Sequence, residues 1–199
     1  MDLKDEFKTI LRSDESSQDI ADRYILNGEA WVFADKFSDQ SATRYEEFKR
    51  IIGRSVDLHS SECRLVGSAK SGISLSPKKN FRKFHKKSDL DVVLVSAPLF
   101  DKIWKEYLVL DYRVKGLVDG YARFGFYRQF ATVKLSKKLR ETTPELKKIY
   151  QLFGGIQARV DGEFNLNHEI TFRIYRSWLA ADLYHTENIN KLRSELEKK

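Results

Sequence analysis

The sequence predicts an α+β fold, a small mixed β-sheet flanked by helices, and three patterns carry that expectation. Apolar residues recur at helical spacing through the first sixty residues and again near the end of the chain. Two short aliphatic runs in the middle, Cys63-Arg64-Leu65-Val66 and Asp91-Val92-Val93-Leu94-Val95, read as buried strands. Glu169 to Tyr175 alternates with a period of two, which puts Ile170, Phe172 and Ile174 on one face and Thr171, Arg173 and Tyr175 on the other.

Taken in order, Leu3, Phe7, Ile10 and Leu11 mark a first helix, and Ile20, Ala21, Tyr24 and Ile25 a second. Tyr45, Phe48, Ile51, Ile52 and Val56 mark a third, entered through Thr43 and Glu46, which fit a capping box. The strand Cys63–Val66 ends at Gly67 and is separated by a polar loop from the strand Asp91–Val95. Leu99 to Val109 returns to helical spacing, and Thr143-Pro144 opens another helix carrying Leu146, Ile149 and Tyr150; the segment between them is ambiguous. Ile156 to Val160 reads as a strand, as does Glu169 to Tyr175, and helices over Ser177 to His185 and Asn188 to Lys198 complete the chain. Trp31, Trp104 and Trp178 are expected in the core. No repeat and no Gly-, Ser- or Pro-rich linker divides the 199 residues, so 1–199 reads as one domain, with N-terminal helices over 1–60, a core over 61–176 and C-terminal helices over 177–199.

With 41% hydrophobic and 33% charged residues and only 3 prolines, collagen-like, low-complexity and wholly disordered readings fail. The longest aliphatic stretch, Val92 to Val95, is far short of the ~20 residues a membrane span needs. Met1 to Phe7 carries charges of both signs and lacks the apolar core of a signal peptide, so export is not expected. One cysteine, Cys63, cannot form an internal disulfide and fits a reducing, cytoplasmic compartment.

The net charge of +7 favours a polyanionic partner, and its distribution is uneven. Pro77 to Lys87 holds six basic residues and no acidic one, so the balance falls to +1 without that loop. Phe81 and Phe84 are interleaved with the cations, an arrangement that can stack bases while the cations hold phosphates, or can simply anchor a solvated loop to the core.

Chemistry concentrates on the two sides of this loop. Gly67-Ser68 follows a strand and opens a turn or a helix, where backbone N–H groups and a hydroxyl can hold phosphate oxygens, with Lys70 just beyond. Ser88-Asp89-Leu90-Asp91 leads into the second strand, and residues two apart on a strand project on one face, so Asp89 and Asp91 can share divalent cations. Gly67 to Gly72 begins like a Walker P-loop, but Ile73 stands where that motif needs lysine; the G-x-S-x-G elbow of a serine hydrolase is absent as well.

Gly67-Ser68 after a strand, followed by Ser88-Asp89-Leu90-Asp91 entering an aliphatic strand, resembles the signature of the DNA polymerase β-like nucleotidyltransferase superfamily, over about residues 45 to 176. The resemblance implies a core sheet flanked by helices and transfer of a nucleoside monophosphate from an NTP or dNTP to a hydroxyl, with release of pyrophosphate. It implies that Gly67 and Ser68 bind the triphosphate and that Asp89 and Asp91 bind Mg²⁺ or Mn²⁺; Lys70 and Ser88, by their position beside these motifs, are further candidates for binding the nucleotide. Two such ions about 3.5–4 Å apart can activate the attacking hydroxyl and stabilise the leaving pyrophosphate. A third carboxylate on a later strand completes the family pattern, and here Glu169 matches it, with Asp161 as competitor. Asp89 follows Ser68 by 21 positions, a longer gap than in many members, and the extra length is the basic loop, which would meet a nucleic-acid or nucleotide acceptor. A protein partner, as in minimal antitoxin-type transferases, is a further option, and a catalytically silent nucleotide or nucleic-acid binding module of the same fold is the alternative. The chain also resembles small bacterial nucleotidyltransferase-like proteins suspected of roles in phage defence.

Overall fold

The computed structural model describes residues 2–76, 79–114, 118, 120–135 and 143–198. Pro77 and Lys78 of the basic loop lie outside the described residues. The chain is α+β, a four-stranded mixed sheet with helices on both faces.

Helices α1 (Leu3–Arg12), α2 (Ser17–Ala21), α3 (Trp31–Phe37) and α4 (Ser41–Ser55) precede the first strand, β1 (Cys63–Val66). The entry to α2 is closed by Ser16, whose hydroxyl accepts the Asp19 N–H at 3.1 Å, and the helix runs on into one π-type turn, Asp22–Leu26. The capping box expected at Thr43 and Glu46 does not form: α4 already begins at Ser41, Thr43 lies inside its first turn, and Glu46 pairs with Lys49 at 2.5 Å. After β1 come the one-turn helix α5 (Ser68–Ser71), the basic loop and β2 (Leu90–Val95).

Helix α6 (Ala97–Arg113) starts at Ser96, which accepts the Leu99 N–H at 3.2 Å, with Pro98 in the first turn where no amide is needed. The segment that is ambiguous in sequence supplies α7 (Gly120–Tyr127) and β3 (Phe130–Lys134). Thr143 caps α8 (Pro144–Phe164) by accepting the Leu146 N–H at 3.1 Å. The strand expected at Ile156 to Val160 is instead part of α8: Leu146, Ile149, Phe153, Ile156, Val160 and Phe164 are buried at three- and four-residue intervals, a helical stripe that a five-residue window cannot reveal. Strand β4 (Ile170–Tyr175) is followed by α9 (Trp178–Glu197), a single helix where the sequence suggests two.

The strand order is β1-β2-β4-β3, with β2 and β4 parallel and the outer pairs antiparallel. Period-two alternation divides the apolar residues between two cores. Leu65, Val92, Leu94, Phe172, Ile174 and Val133 pack against α3, α4, α6 and α8, with Phe33, Phe48, Phe153 and Phe164 at the centre. Val66, Val93, Val95, Phe130 and Tyr175 pack on the opposite face against α1, α2 and α9. Both faces are covered, which is what parallel pairing usually requires. Of the three tryptophans, Trp31 and Trp178 pack against the two cores, but Trp104 on α6 is 42% exposed and does not belong to the interior. Among the described residues no helix is long and apolar enough to cross a membrane.

Candidate functional site

The register at one end of the sheet decides what meets there. Asp91 is opposite Val66 on β1 and Thr171 on β4, so the turn that follows Val66 comes directly against the Asp91 side chain. Gly67 makes that turn at φ +67 and ψ −152, a conformation open essentially to glycine alone. A Cβ at this position would stand 2.8 Å from Asp91 Oδ2, so the missing side chain is also what lets backbone and carboxylate approach. Ser68 begins α5, whose first amides have no partner within the helix.

Gly67, Ser68 and Asp91 line a cleft of about 300 Å³, to which the basic loop adds Lys79, β4 adds Arg173 and α9 adds His185. Arg173 lies under two aromatic rings, with its guanidinium 5.4 Å from the centre of Phe130 and 4.9 Å from that of Tyr184. Burial pushes the Asp91 carboxyl above its usual range; Arg173 pulls against this and the neighbouring charge of Asp89 adds to it. Burial, followed by Arg173, pushes the His185 imidazole down to about 3, so it is neutral at physiological pH. Arg173 Nε and His185 Nε2 are buried without a hydrogen-bond partner. Buried polar atoms are normally satisfied, and a cleft lined by two that are not is suited to polar ligand atoms or water.

Beside this cleft lie the strand heads. Leu90 N–H donates to the Glu169 carbonyl at 2.9 Å, which sets Asp89 and Glu169 level with one another just before β2 and β4. Lys134, the last residue of β3, reaches across Thr171 so that its Nζ donates to Asp89 Oδ2 at 2.8 Å and stands 3.8 Å from Glu169 Oε2. The bond to Asp89 is the main cause holding the Lys134 ammonium above its ordinary range. Among the described residues, no three His, Cys, Asp or Glu side chains form a ready-made metal cluster.

The sequence-derived residues therefore separate into groups. Gly67, Ser68 and Asp91 meet in the cleft; Asp89 and Glu169 stand together at its side. Lys70 turns away: it is buried, with Nζ donating to the Glu29 carbonyl at 2.5 Å, and burial, followed by Lys49 and Arg64, pushes it down to about 8. Ser88 shapes the end of the basic loop, its hydroxyl accepting the His85 N–H at 3.1 Å and its carbonyl meeting His168 Nδ1 at 2.8 Å. Asp161 lies on α8 and accepts from Gln157 Nε2 at 2.7 Å, so it does not share the strand-head row of Glu169. Phe81 is buried and Phe84 packs on Trp31 and His168, which makes both loop aromatics anchors and leaves neither for base stacking. Arg82, Lys83, Lys86 and Lys87 are exposed. Arg176 pairs with Asp101 on the surface at 3.1 Å.

Sequence reasoning missed Lys134 and His185. The run Phe130-Ala131-Thr132-Val133-Lys134 does alternate in strand fashion, but nothing local says that its last side chain reaches the acidic heads of the next two strands. Comparisons with known proteins return no match: no family model fits the chain, and no curated protein or solved structure is significantly similar.

Proposed function

We propose that the protein binds a nucleoside triphosphate in the cleft at the heads of β1, β2 and β4 and transfers its nucleoside monophosphate to a hydroxyl acceptor, as the resemblance to polymerase β-like nucleotidyltransferases implies. One observation carries the reading: Gly67 and the Asp91 carboxylate, far apart in sequence, lie so close that a Cβ at Gly67 would meet the carboxylate, in a cleft that also holds Arg173 and Lys79. That juxtaposition supports phosphate recognition and carboxylate chemistry at one place.

The chain's own residues have distinct tasks in this reading. The Gly67 turn gives phosphate oxygens close access to the backbone, and the Ser68 hydroxyl donates to them. The Arg173 and Lys79 cations offset the charge of the triphosphate, Arg173 from a position fixed by its two rings. Asp89, Asp91 and Glu169 offer only carboxylate oxygens, the donor type that suits Mg²⁺ or Mn²⁺, and the Lys134 ammonium between Asp89 and Glu169 is a stand-in cation at their meeting point. When bound there, the divalent ions supply charge neutralisation and acidify the acceptor hydroxyl. Glu169 accepts the hydroxyl proton at the rim, where the acceptor would arrive. The exposed cations of the basic loop favour a nucleic-acid or nucleotide acceptor over a protein one. The buried thiol of Cys63 fits a reducing, cytoplasmic setting.

Incubation with each labelled NTP and dNTP in Mg²⁺ or Mn²⁺, with products resolved by mass, tests this. Pyrophosphate release with a nucleotide-containing product is the expected outcome. The same Lys134 contact favours a second reading, a binding module that holds nucleotide without turnover; nucleotide binding with no pyrophosphate released under any of these conditions would establish it.

A further inference from the structure

We propose that Lys134 is the resting cation of the carboxylate cluster, holding the place of a divalent ion until a nucleotide brings one in. This rests on the metal-binding reading of Asp89, Asp91 and Glu169 and goes beyond it by making the cluster selective. A lysine at the end of an edge strand ordinarily extends into water. Here β3 is separated from β2 by β4, yet the Lys134 side chain lies across Thr171 and delivers Nζ to the same Asp89 oxygen that Thr171 Oγ1 approaches at 3.5 Å. The ammonium is 2.8 Å from Asp89 and 3.8 Å from Glu169, so it lies within ion-pair distance of both carboxylates.

Two cations cannot share that point. A divalent ion ligated by Asp89 at the ~2.0–2.1 Å usual for Mg²⁺ would place its charge against the ammonium within a few ångström, so the lysine must leave for the metal to enter. An isolated ion has to displace the lysine and gains nothing from its release. A nucleoside triphosphate changes this balance, because its phosphate oxygens give the ammonium a new partner beside the cluster while they bring ligands of their own to the metal. Lys134 thus favours the metal–nucleotide complex over the bare ion, which couples metal loading to substrate arrival.

The test is Mn²⁺ binding for the full chain, Lys134→Met and Lys134→Arg, read without nucleotide from the loss of the free-ion paramagnetic resonance signal, and with a non-hydrolysable ATP analogue from the enhanced water-proton relaxation that Mn²⁺ on the protein gives beyond Mn²⁺ on the free analogue. Lys134→Met should bind bare Mn²⁺ at least ~10-fold more tightly than the wild-type chain, the arginine variant should stay as weak as wild type, and the analogue should tighten Mn²⁺ more for wild type than for the methionine variant. Thermal unfolding of Lys134→Met should show a loss of stability that Mn²⁺ restores, which separates a misfolded variant from an informative one. If wild type and Lys134→Met bind bare Mn²⁺ equally well, the placeholder role is refuted while the metal site stands. If neither binds Mn²⁺ with or without the analogue, both the role and the metal site are refuted.

Discussion

Replacing Gly67 by alanine tests the centre of the cleft without adding charge or polarity. Two costs follow from the geometry. The backbone at φ +67, ψ −152 is strained for any residue with a Cβ, at about 1–3 kcal/mol. The new Cβ would also stand 2.8 Å from Asp91 Oδ2, closer than real contacts allow, so the carboxylate must move by several tenths of an ångström. For a chain of this size each kcal/mol shifts the melting temperature by about 2–4 °C, so a cost near 2 kcal/mol predicts a fall of about 4–8 °C. Nucleotide affinity should fall by about 10-fold or more, equivalent to about 1.4 kcal/mol, because the displaced carboxylate and the added methyl group both intrude on the phosphate position. Thermal unfolding and equilibrium binding of a fluorescent ATP analogue measure the two effects on the same preparations. Gly155→Ala is the control: it lies inside α8 with open space where a Cβ would go, and should stabilise the chain by up to about 1 kcal/mol with binding unchanged. An unchanged melting temperature and unchanged affinity for Gly67→Ala would refute both the strain and the assignment of this turn to the nucleotide.

Other outcomes follow from the same geometry. Asp91→Asn should abolish turnover yet leave thermal stability equal or higher, because burial outweighs the attraction of Arg173 and the native charge is held at a cost; a large drop in melting temperature would show that the Arg173 pair dominates. His185 is neutral when folded and titrates near 6.5 when unfolded, so unfolding takes up a proton below that pH and stability, full above it, falls with acidification by about 1.4 kcal/mol per pH unit toward about 3. His185→Gln should remove that slope from chemical-denaturation curves taken between these limits, and parallel curves for the two proteins would count against it. Changing Arg82, Lys83, Lys86 and Lys87 to serine should weaken nucleic-acid binding for all sequences and reduce the log–log salt slope by roughly 0.7–0.9 per lost phosphate contact, while an unaltered slope would make these cations solvating only.

What sequence could and could not reveal follows from how local each signal is. The strands Cys63–Val66 and Leu90–Val95 were legible because a buried strand between covered faces is a continuous aliphatic run. Thr143-Pro144 announced α8 correctly, but Ile156-Gln157-Ala158-Arg159-Val160 fits either period over five residues, and only the stripe back to Leu146 settles it. Strand β3 is short and follows Gln129 in a left-handed turn, φ +58, a break that no glycine marks. Gly67-Ser68 and Asp89-Leu90-Asp91 could be picked out as candidates because each is a short local pattern, whereas that Asp91 faces Gly67 while Asp89 stands beside Glu169 follows from strand register. Lys134 and His185 come from different elements and acquire meaning only through register and helix packing, which single residues do not encode.

The position of β4 has a consequence for how the protein comes into being. Leu90 pairs with Ile170, so the central pairing of the sheet waits until some eighty further residues have been made, and β3 has no neighbour until β4 slides between it and β2. During synthesis the emerging chain therefore carries two unpaired aliphatic edges, of the kind that chaperones protect. Arg173 arrives with β4 itself, whereas His185 and the wall of the cleft that α9 supplies arrive later still. A ribosome-bound fragment ending before α9 holds Gly67, Ser68, both aspartates and Arg173 but lacks Tyr184, His185 and Asn188, so the cleft has all its walls only once α9 has emerged.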